Sequence, residues 1–279
     1  MNERLAAEQL LAATGPVPDE PPRDKSPLRL MIVTEDEPFH LAETFEKLFA
    51  VSPRWLDIVG VAVLAFAPVG IRGSRLTLLR ALGTRYGMSN LLRAAAVVVG
   101  NRLRPRRRLG TVLRQSGVAA IGLHKLDGEA FAAEMARLDP DVVVTIAFNR
   151  IVPPVVLAES RAIWMNVHLG LLPHNRGPAP VFWALHDGEH ESGVTVHLTA
   201  DEVDGGAILA QRRRAIDERR LAVEHRALRL LSVDVLIDAL TGLRKGVAPS
   251  RNSDLAARWR GVPETSHIAA FLARGNRFF

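Results

Sequence analysis

The sequence predicts an α/β protein: a doubly wound, mostly parallel sheet with a helical insertion and a short C-terminal helical extension. Two observations carry that expectation. Apolar runs of strand length alternate with segments of helical spacing along most of the chain, as consecutive βαβ units do. One run, Asp141 to Ala147 (DVVVTIA), is apolar almost without a break, the pattern of a strand covered on both faces.

The elements follow in order. Met1 to Pro27 holds a short helical pattern and then a proline-rich, charged stretch, Pro16 to Pro27, which reads as an arm or linker. Leu28 to Thr34 (LRLMIVT) is a compact first strand, and Phe39 to Phe49 carries apolar residues at helical spacing. Asp57 to Phe66 and Val118 to Leu123 are further strands, with a long basic helical insertion, about Ser74 to Leu103, between them. Gly128 to Leu138 is a helix broken by Asp139-Pro140, because the residue before a proline avoids the helical region. After the strand Asp141 to Ala147 come a strand over Ile163 to Leu169, a helix over Ala179 to His186 and an alternating strand over Gly193 to Thr199. A strand near Ala207 to Ile216, a helix from about Glu218 to Leu243 and a polar tail complete the chain. The expected organisation is an arm over 1–27, a main domain over 28–216 with its insertion at about 74–103, and a helical extension and tail over 217–279.

Composition narrows the classes. The 279 residues, 48% hydrophobic and 24% charged, are ordinary for a globular protein. The absence of cysteine excludes a disulfide scaffold and thiolate metal sites, and fits a cytoplasmic location. Met1 to Leu11 lacks the basic and apolar blocks of a signal peptide, and no apolar run reaches the ~20 residues of a membrane span. A soluble chain with no membrane span is expected. Its net charge of +6 is concentrated in two clusters: Arg102, Arg104, Arg106, Arg107 and Arg108, and then Arg212, Arg213, Arg214, Arg219 and Arg220. Such clusters suit phosphates or an anionic surface, or are the solvated face of an arginine-rich chain. His40, His124, His174, His186, His190, His197, His225 and His267 show no metal-ligand spacing with a convincing carboxylate, so no metal is expected.

The densest chemical signal lies between Asn166 and Gly206. Residues two apart on a strand face the same way, so Asn166 and His168 project together from the carboxyl end of their strand. Open α/β sheets place ligands at that end. The turn Leu171 to Pro178 would wall off the site, and Asp201 to Gly206 is an acidic loop ending in two glycines that let backbone approach a ligand. An Asn, a His and an Asp, Asp204, converging there could bind an oxyanion and move a proton. Spacing alone leaves a structural histidine as the alternative.

The series Asn166-Val167-His168-Leu169-Gly170-Leu171-Leu172-Pro173, then Arg176-Gly177, Pro180, Trp183-Ala184, Gly188 and Gly193-Val194-Thr195, resembles the folate-dependent formyltransferases. That family includes phosphoribosylglycinamide, methionyl-tRNA and sugar N-formyltransferases. The loop Asp201 to Gln211 resembles the phosphoribosylglycinamide enzymes especially. The resemblance implies a Rossmann-like catalytic domain, 10-formyltetrahydrofolate as formyl donor, and an acceptor amine attacking the formyl carbon. It implies that Asn166 and protonated His168 stabilise charge on the formyl oxygen, while Asp204 helps carry the amine proton to the leaving nitrogen. It also implies that Phe148, Asn149, Arg150, Ile151 and Val152, with Ala200, Asp201, Glu202 and Val203, hold the pterin, largely through backbone.

Three departures bear on the acceptor. Where the phosphoribosylglycinamide enzymes carry a glycine- and serine-rich phosphate loop, this chain reads Thr34-Glu35-Asp36-Glu37-Pro38-Phe39, and carboxylates repel phosphate. Glu35, Asp36 and Glu37 would instead meet a cationic amine or sugar hydroxyls, or cap the following helix; Arg176 is a further candidate acceptor contact. Gly170 stands where a serine is usual. The stretch after Ile216 is too short for the C-terminal barrel with which methionyl-tRNA enzymes grip tRNA. The expected acceptor is therefore a small-molecule amine, such as an amino sugar, with tRNA or a non-catalytic folate-binding role as alternatives and no DNA partner. The helical insertion could serve as a lid, a homodimer contact or an amphipathic surface helix.

Overall fold

The computed structural model describes residues 27–66, 75–104, 107–253 and 257–279. Save for Pro27, the arm expected over 1–27 lies outside the described residues, as does Arg106. Seven strands form one sheet: β1 (Leu28–Glu35), β2 (Leu56–Leu64), β3 (Ala120–Leu123), β4 (Val142–Ile146), β5 (Ile163–His168), β6 (Glu191–Leu198) and β7 (Ile208–Ala215). Their spatial order is β3-β2-β1-β4-β5-β6-β7. The first five in that order run parallel; β6 is antiparallel to β5, and β7 to β6. The chain winds outward from β1 to β3 and then returns to β4, so the order reverses between β1 and β4, where α/β sheets open a crevice.

The expected alternation of faces is visible in the packing. Leu30, Ile32, Val142, Val144, Met165 and Val167 point into one core, while Met31, Val33, Val143 and Trp164 point into the other. Helix α1 (Leu41–Val51) buries Leu41, Phe45 and Leu48 against the first face, because these recur at intervals of three and four. The helices of the insertion are α2 (Arg75–Tyr86) and α3 (Met88–Leu103), followed by α4 (Leu109–Gln115), which seats Leu109, Val112 and Leu113 in the same core. The insertion is two helices where the sequence suggests one: Gly87 adopts a φ of 83°, a conformation only glycine takes cheaply, and breaks the run. Opposite lie α5 (Glu129–Leu138) and α6 (Pro154–Glu159), with Phe131 and Leu138 on the second face.

Helix α7 (Pro180–Asp187) follows β5, and α8 (Leu221–Arg244) lies across β6 and β7 and against α1. Leu228, Val233, Val235 and Leu236 of α8 belong to the same core as β1. The tail expected to be simply polar contains α9 (Thr265–Ala273), whose Ile268 and Phe271 join Phe278 on Phe182, Trp183 and Leu185 of α7. No helix among the described residues is long and apolar enough to cross a membrane.

Candidate active site

Asn166 and His168 have the parity of Trp164 along β5, so both side chains emerge on the face covered by α5. Thr145, near the end of β4, pairs with Asn166 across the ladder, and its Oγ1 donates to Asn166 Oδ1 at 2.7 Å. Asn166 Nδ2 then faces Nε2 of His197, its cross-strand partner on β6, at 3.1 Å. His197 Nδ1 lies 2.8 Å from the Leu198 carbonyl. A carbonyl only accepts, so Nδ1 carries the proton and Nε2 accepts from Asn166. The second amide hydrogen of Asn166 has no partner among the described residues.

His168 is held on both edges. Its Nε2 lies 2.6 Å from the Asn175 carbonyl and must donate to it. Its Nδ1 faces Asp204 Oδ1 at 3.6 Å. Burial pushes the imidazole below its ordinary value, Asp204 draws it back up, and His197 lowers it again. The Nδ1 edge, facing the carboxylate, is therefore where a proton can be gained and lost. Burial would raise the Asp204 carboxyl, but His168, His197 and the Gly177 amide, which donates to Oδ2 at 2.8 Å, together hold it far below the usual carboxylate range. His197 Nε2 also lies 3.5 Å from Asp204 Oδ1. One carboxylate thus lies between two histidines, and one of them orients the asparagine.

The loop that delivers Asp204 takes an unexpected route. Because β6 runs antiparallel to β5, Thr199 leaves it at the level of Trp164, whose carbonyl accepts the Thr199 amide at 2.9 Å. Ala200 to Val203 then climb back along β5, and Asp204, at a φ of 54°, turns its carboxylate to His168. Aspartate tolerates this left-handed region better than most residues. Gly206 closes the loop so tightly that a Cβ there would lie 1.8 Å from the Leu198 carbonyl oxygen, so no other residue fits.

Besides Thr145, two residues outside the sequence expectations shape this geometry. His197 was among the histidines set aside for want of metal spacing, yet it touches Asn166 and Asp204. Asn252, in the segment after α8, donates to the carbonyls of Asp204 at 2.7 Å and Gly206 at 2.9 Å. The alternating run Gly193 to Thr199 could have flagged His197, since it faces the same side as Thr195 and pairs with Asn166. No pattern flags Asn252.

Other expected site residues are distributed as follows. Arg176 is buried, with Nη1 on Glu202 at 2.8 Å and Nη2 on Asn252 Oδ1 at 3.3 Å, so it fastens the acidic loop. Glu35 is fully buried and pairs with Arg150 Nε at 3.0 Å. Arg150 also donates to Ala65 and His124, tying the carboxyl ends of β1 to β4 across the switch point. Glu37 accepts the amides of Phe39 at 2.8 Å and His40 at 3.1 Å, so it caps the entry to α1; burial raises its carboxyl, and Arg229 and these amides oppose the rise. Asp36 alone of the three is exposed. Gly170 has no room for a side chain: a Cβ would lie 2.8 Å from His168 Nε2 and 2.9 Å from Pro180 Cβ, which explains the missing serine in this packing.

Residues 148–152 and 200–203 are the two segments expected to hold a pterin. The amides of 148–152 make no hydrogen bond among the described residues, and Ile151 and Val203 are exposed apolar side chains on the two segments. Val152 is buried in the second core and anchors the first segment.

The comparisons with known proteins agree with this architecture. Residues 102–237 match the family described as formyl transferase. The methionyl-tRNA formyltransferase of Pelotomaculum thermopropionicum is 36% identical over 126 residues, 45% of this chain and 40% of that protein. The aligned region thus spans less than half the length of that curated relative. Among solved structures, a sugar N-formyltransferase from Shewanella superposes with a TM-score of 0.54 at 19% identity, over 88% of this chain and 87% of that one. HypX from Aquifex aeolicus in complex with tetrahydrofolic acid gives 0.53 at 16% identity, over 87% of this chain and 31% of that one. Seven strands in this order, the motif series around β5 and the family match converge: residues 102–237 carry the formyl transferase pattern, within a fold shared with solved formyltransferases.

Proposed function

We propose that the chain transfers the formyl group of 10-formyltetrahydrofolate to the amine of a small-molecule acceptor, an amino sugar or another biosynthetic amine. The observation that carries this reading is the convergence of Asn166, His168 and Asp204, with His168 Nδ1 3.6 Å from the carboxylate and Asn166 fixed by Thr145 and His197. The donor supplies an activated formyl carbon when bound between residues 148–152 and 200–204. The acceptor nitrogen bonds to that carbon, the bond to the folate nitrogen breaks, and the amine proton ends on the departing nitrogen.

The chain's own groups have distinct parts in this. Asn166 offers its unpaired amide hydrogen to the formyl oxygen as negative charge develops there. His168 takes up a proton at Nδ1, where Asp204 stabilises the resulting imidazolium, and releases it towards the leaving nitrogen. Asp204 can do so because it remains ionised at rest. Asn175 and Gly177 hold the two partners in register through backbone groups.

A screen of candidate amines for tetrahydrofolate release from the formylated donor tests the proposal, with His168→Ala as control. Release that needs an amine and is lost in the variant supports it. Release that is indifferent to His168 overturns it. The match to methionyl-tRNA formyltransferases favours tRNA as the second reading, and salt-sensitive tRNA binding with formylation of its charged amine would establish that instead.

A further inference from the structure

The two arginine clusters have different environments. In the second, Arg212 pairs with Asp238, Arg213 with Glu191, Arg214 with Glu224 and Asp217, and Arg220 with Glu218. Four of its five charges are thus met within the fold, and Arg219 donates to the Arg274 carbonyl. In the first, the side chains of Arg102, Arg107 and Arg108, together with that of Arg114 on α4, meet no carboxylate among the described residues. These four line a cleft of about 780 Å³ between the entry to α1, the end of α3 and the start of α4. Asp36 and Glu37 line it as well, so four guanidinium groups oppose two carboxylates, one of which is turned onto the amides of α1.

The cleft is built rather than incidental. Asn101, buried at the end of α3, donates to the carbonyls of Pro38 at 2.9 Å and Phe39 at 3.1 Å, stapling the arginine segment to the turn after β1. Its Oδ1 receives Arg107 Nη1 at 3.2 Å, and the Arg108 guanidinium donates to the Arg102 carbonyl, with Nε at 2.8 Å. Two of the four cations are thus oriented before any ligand arrives. The cleft opens at the carboxyl end of β1, two strands from Asn166, which at the usual strand spacing is about 10 Å.

We infer that this cleft binds the phosphate or diphosphate group of the acceptor, holding it while the amine reaches Asn166. Guanidinium groups match phosphate oxygens with paired N–H donors, and none of the four forms an ion pair with a carboxylate among the described residues, so they outweigh Asp36 and Glu37. Assigning the anion to the acceptor rests on the formyl-transfer reading; the anion site itself does not.

Calorimetric titration of the intact chain with inorganic diphosphate tests the inference. The variant of choice is Arg102→Ala/Arg114→Ala, because neither side chain holds the fold beyond a 3.5 Å contact from Arg114 to Thr111. The wild type is expected to bind saturably, and the double variant to bind at least about tenfold more weakly, the usual worth of one hydrogen bond to a charged group. Its melting temperature and its affinity for 5-formyltetrahydrofolate should be unchanged. Restoring the charge as Arg102→Lys/Arg114→Lys should recover part of the affinity. Equal binding by wild type and the alanine variant, or no binding at millimolar diphosphate, overturns the site. Arginine-dependent binding of tRNA without binding of diphosphate would also overturn it, in favour of a polynucleotide. If folate fails to bind the wild type while diphosphate still binds in an arginine-dependent way, the formyl-transfer reading falls and the anion site stands.

Discussion

Replacing Asn252 by alanine removes one amide that closes the candidate site from outside the sheet. Two hydrogen bonds to carbonyls, at 2.7 and 2.9 Å, disappear, along with the acceptor for Arg176 Nη2 at 3.3 Å. The side chain is buried, and Gly206 beneath it is too, so water replaces these bonds poorly. A buried polar group left without its partner costs roughly 1–3 kcal/mol, and with Asp204 partly accessible the two carbonyls together come to about 3 kcal/mol. Unfolding entropy near 2.1 cal/mol/K per residue makes about 0.6 kcal/mol/K for 279 residues, so the midpoint should fall by about 5 °C. Differential scanning calorimetry measures this directly. The loop from Ala200 to Asp204 should also loosen, weakening 5-formyltetrahydrofolate binding by about tenfold, the equivalent of one lost hydrogen bond at the upper end of the neutral range. If the variant melts within a degree of wild type and binds the folate equally well, Asn252 does not support the loop and the reasoning fails.

Further outcomes are expected. His168→Ala and Asn166→Ala should each lower turnover by about two to three orders of magnitude with the fold intact, as loss of a proton carrier and of an oxyanion partner do, and near-full activity of His168→Ala would refute the mechanism. Gly170→Ser should destabilise the protein by about 1–3 kcal/mol, because its Cβ must displace His168 or Pro180; an unchanged urea midpoint would show that the site yields freely. Burial lowers His40 to about 4, with Glu43 opposing and Arg226, Arg229 and Arg107 adding to the fall. Protonating it therefore destabilises the fold progressively as pH drops from about 6.5 to about 4. Glu37 works in the opposite sense, so the diagnostic is the difference: His40→Gln should lose less melting temperature than wild type over that window, and parallel curves would count against it.

What the sequence reveals, and what it conceals, follows from the range of the interactions. The faces of β1, β4 and β5 are written in residues one and two apart, so the sheet and the shared side of Asn166 and His168 can be read locally. Asp204 is harder, because its route depends on β6 running antiparallel, yet its motif carries it. The three acidic residues after β1 look alike on paper. The fold separates them: Glu35 meets Arg150, Glu37 turns to the amides of α1, and Asp36 stays exposed. Arg150 lies 115 positions from Glu35, and no local pattern reports such a pairing. The same holds for Asn252, 48 residues beyond Asp204 in a stretch without periodicity. α9 was missed because its apolar residues serve α7 rather than the sheet, within a segment rich in charge.

The segment after α8 gives the molecule an order of completion. Arg176 exchanges backbone hydrogen bonds with Arg258 and Arg260, and Asn252 holds the Asp204 loop. A chain leaving the ribosome has all seven strands and both histidines in hand before these residues emerge, about 2 to 10 s later for 48 residues at typical synthesis rates. Until then Asp204 lacks its outer support. A nascent chain that ends short of Asn252 lacks both side-chain hydrogen bonds to the loop that carries Asp204.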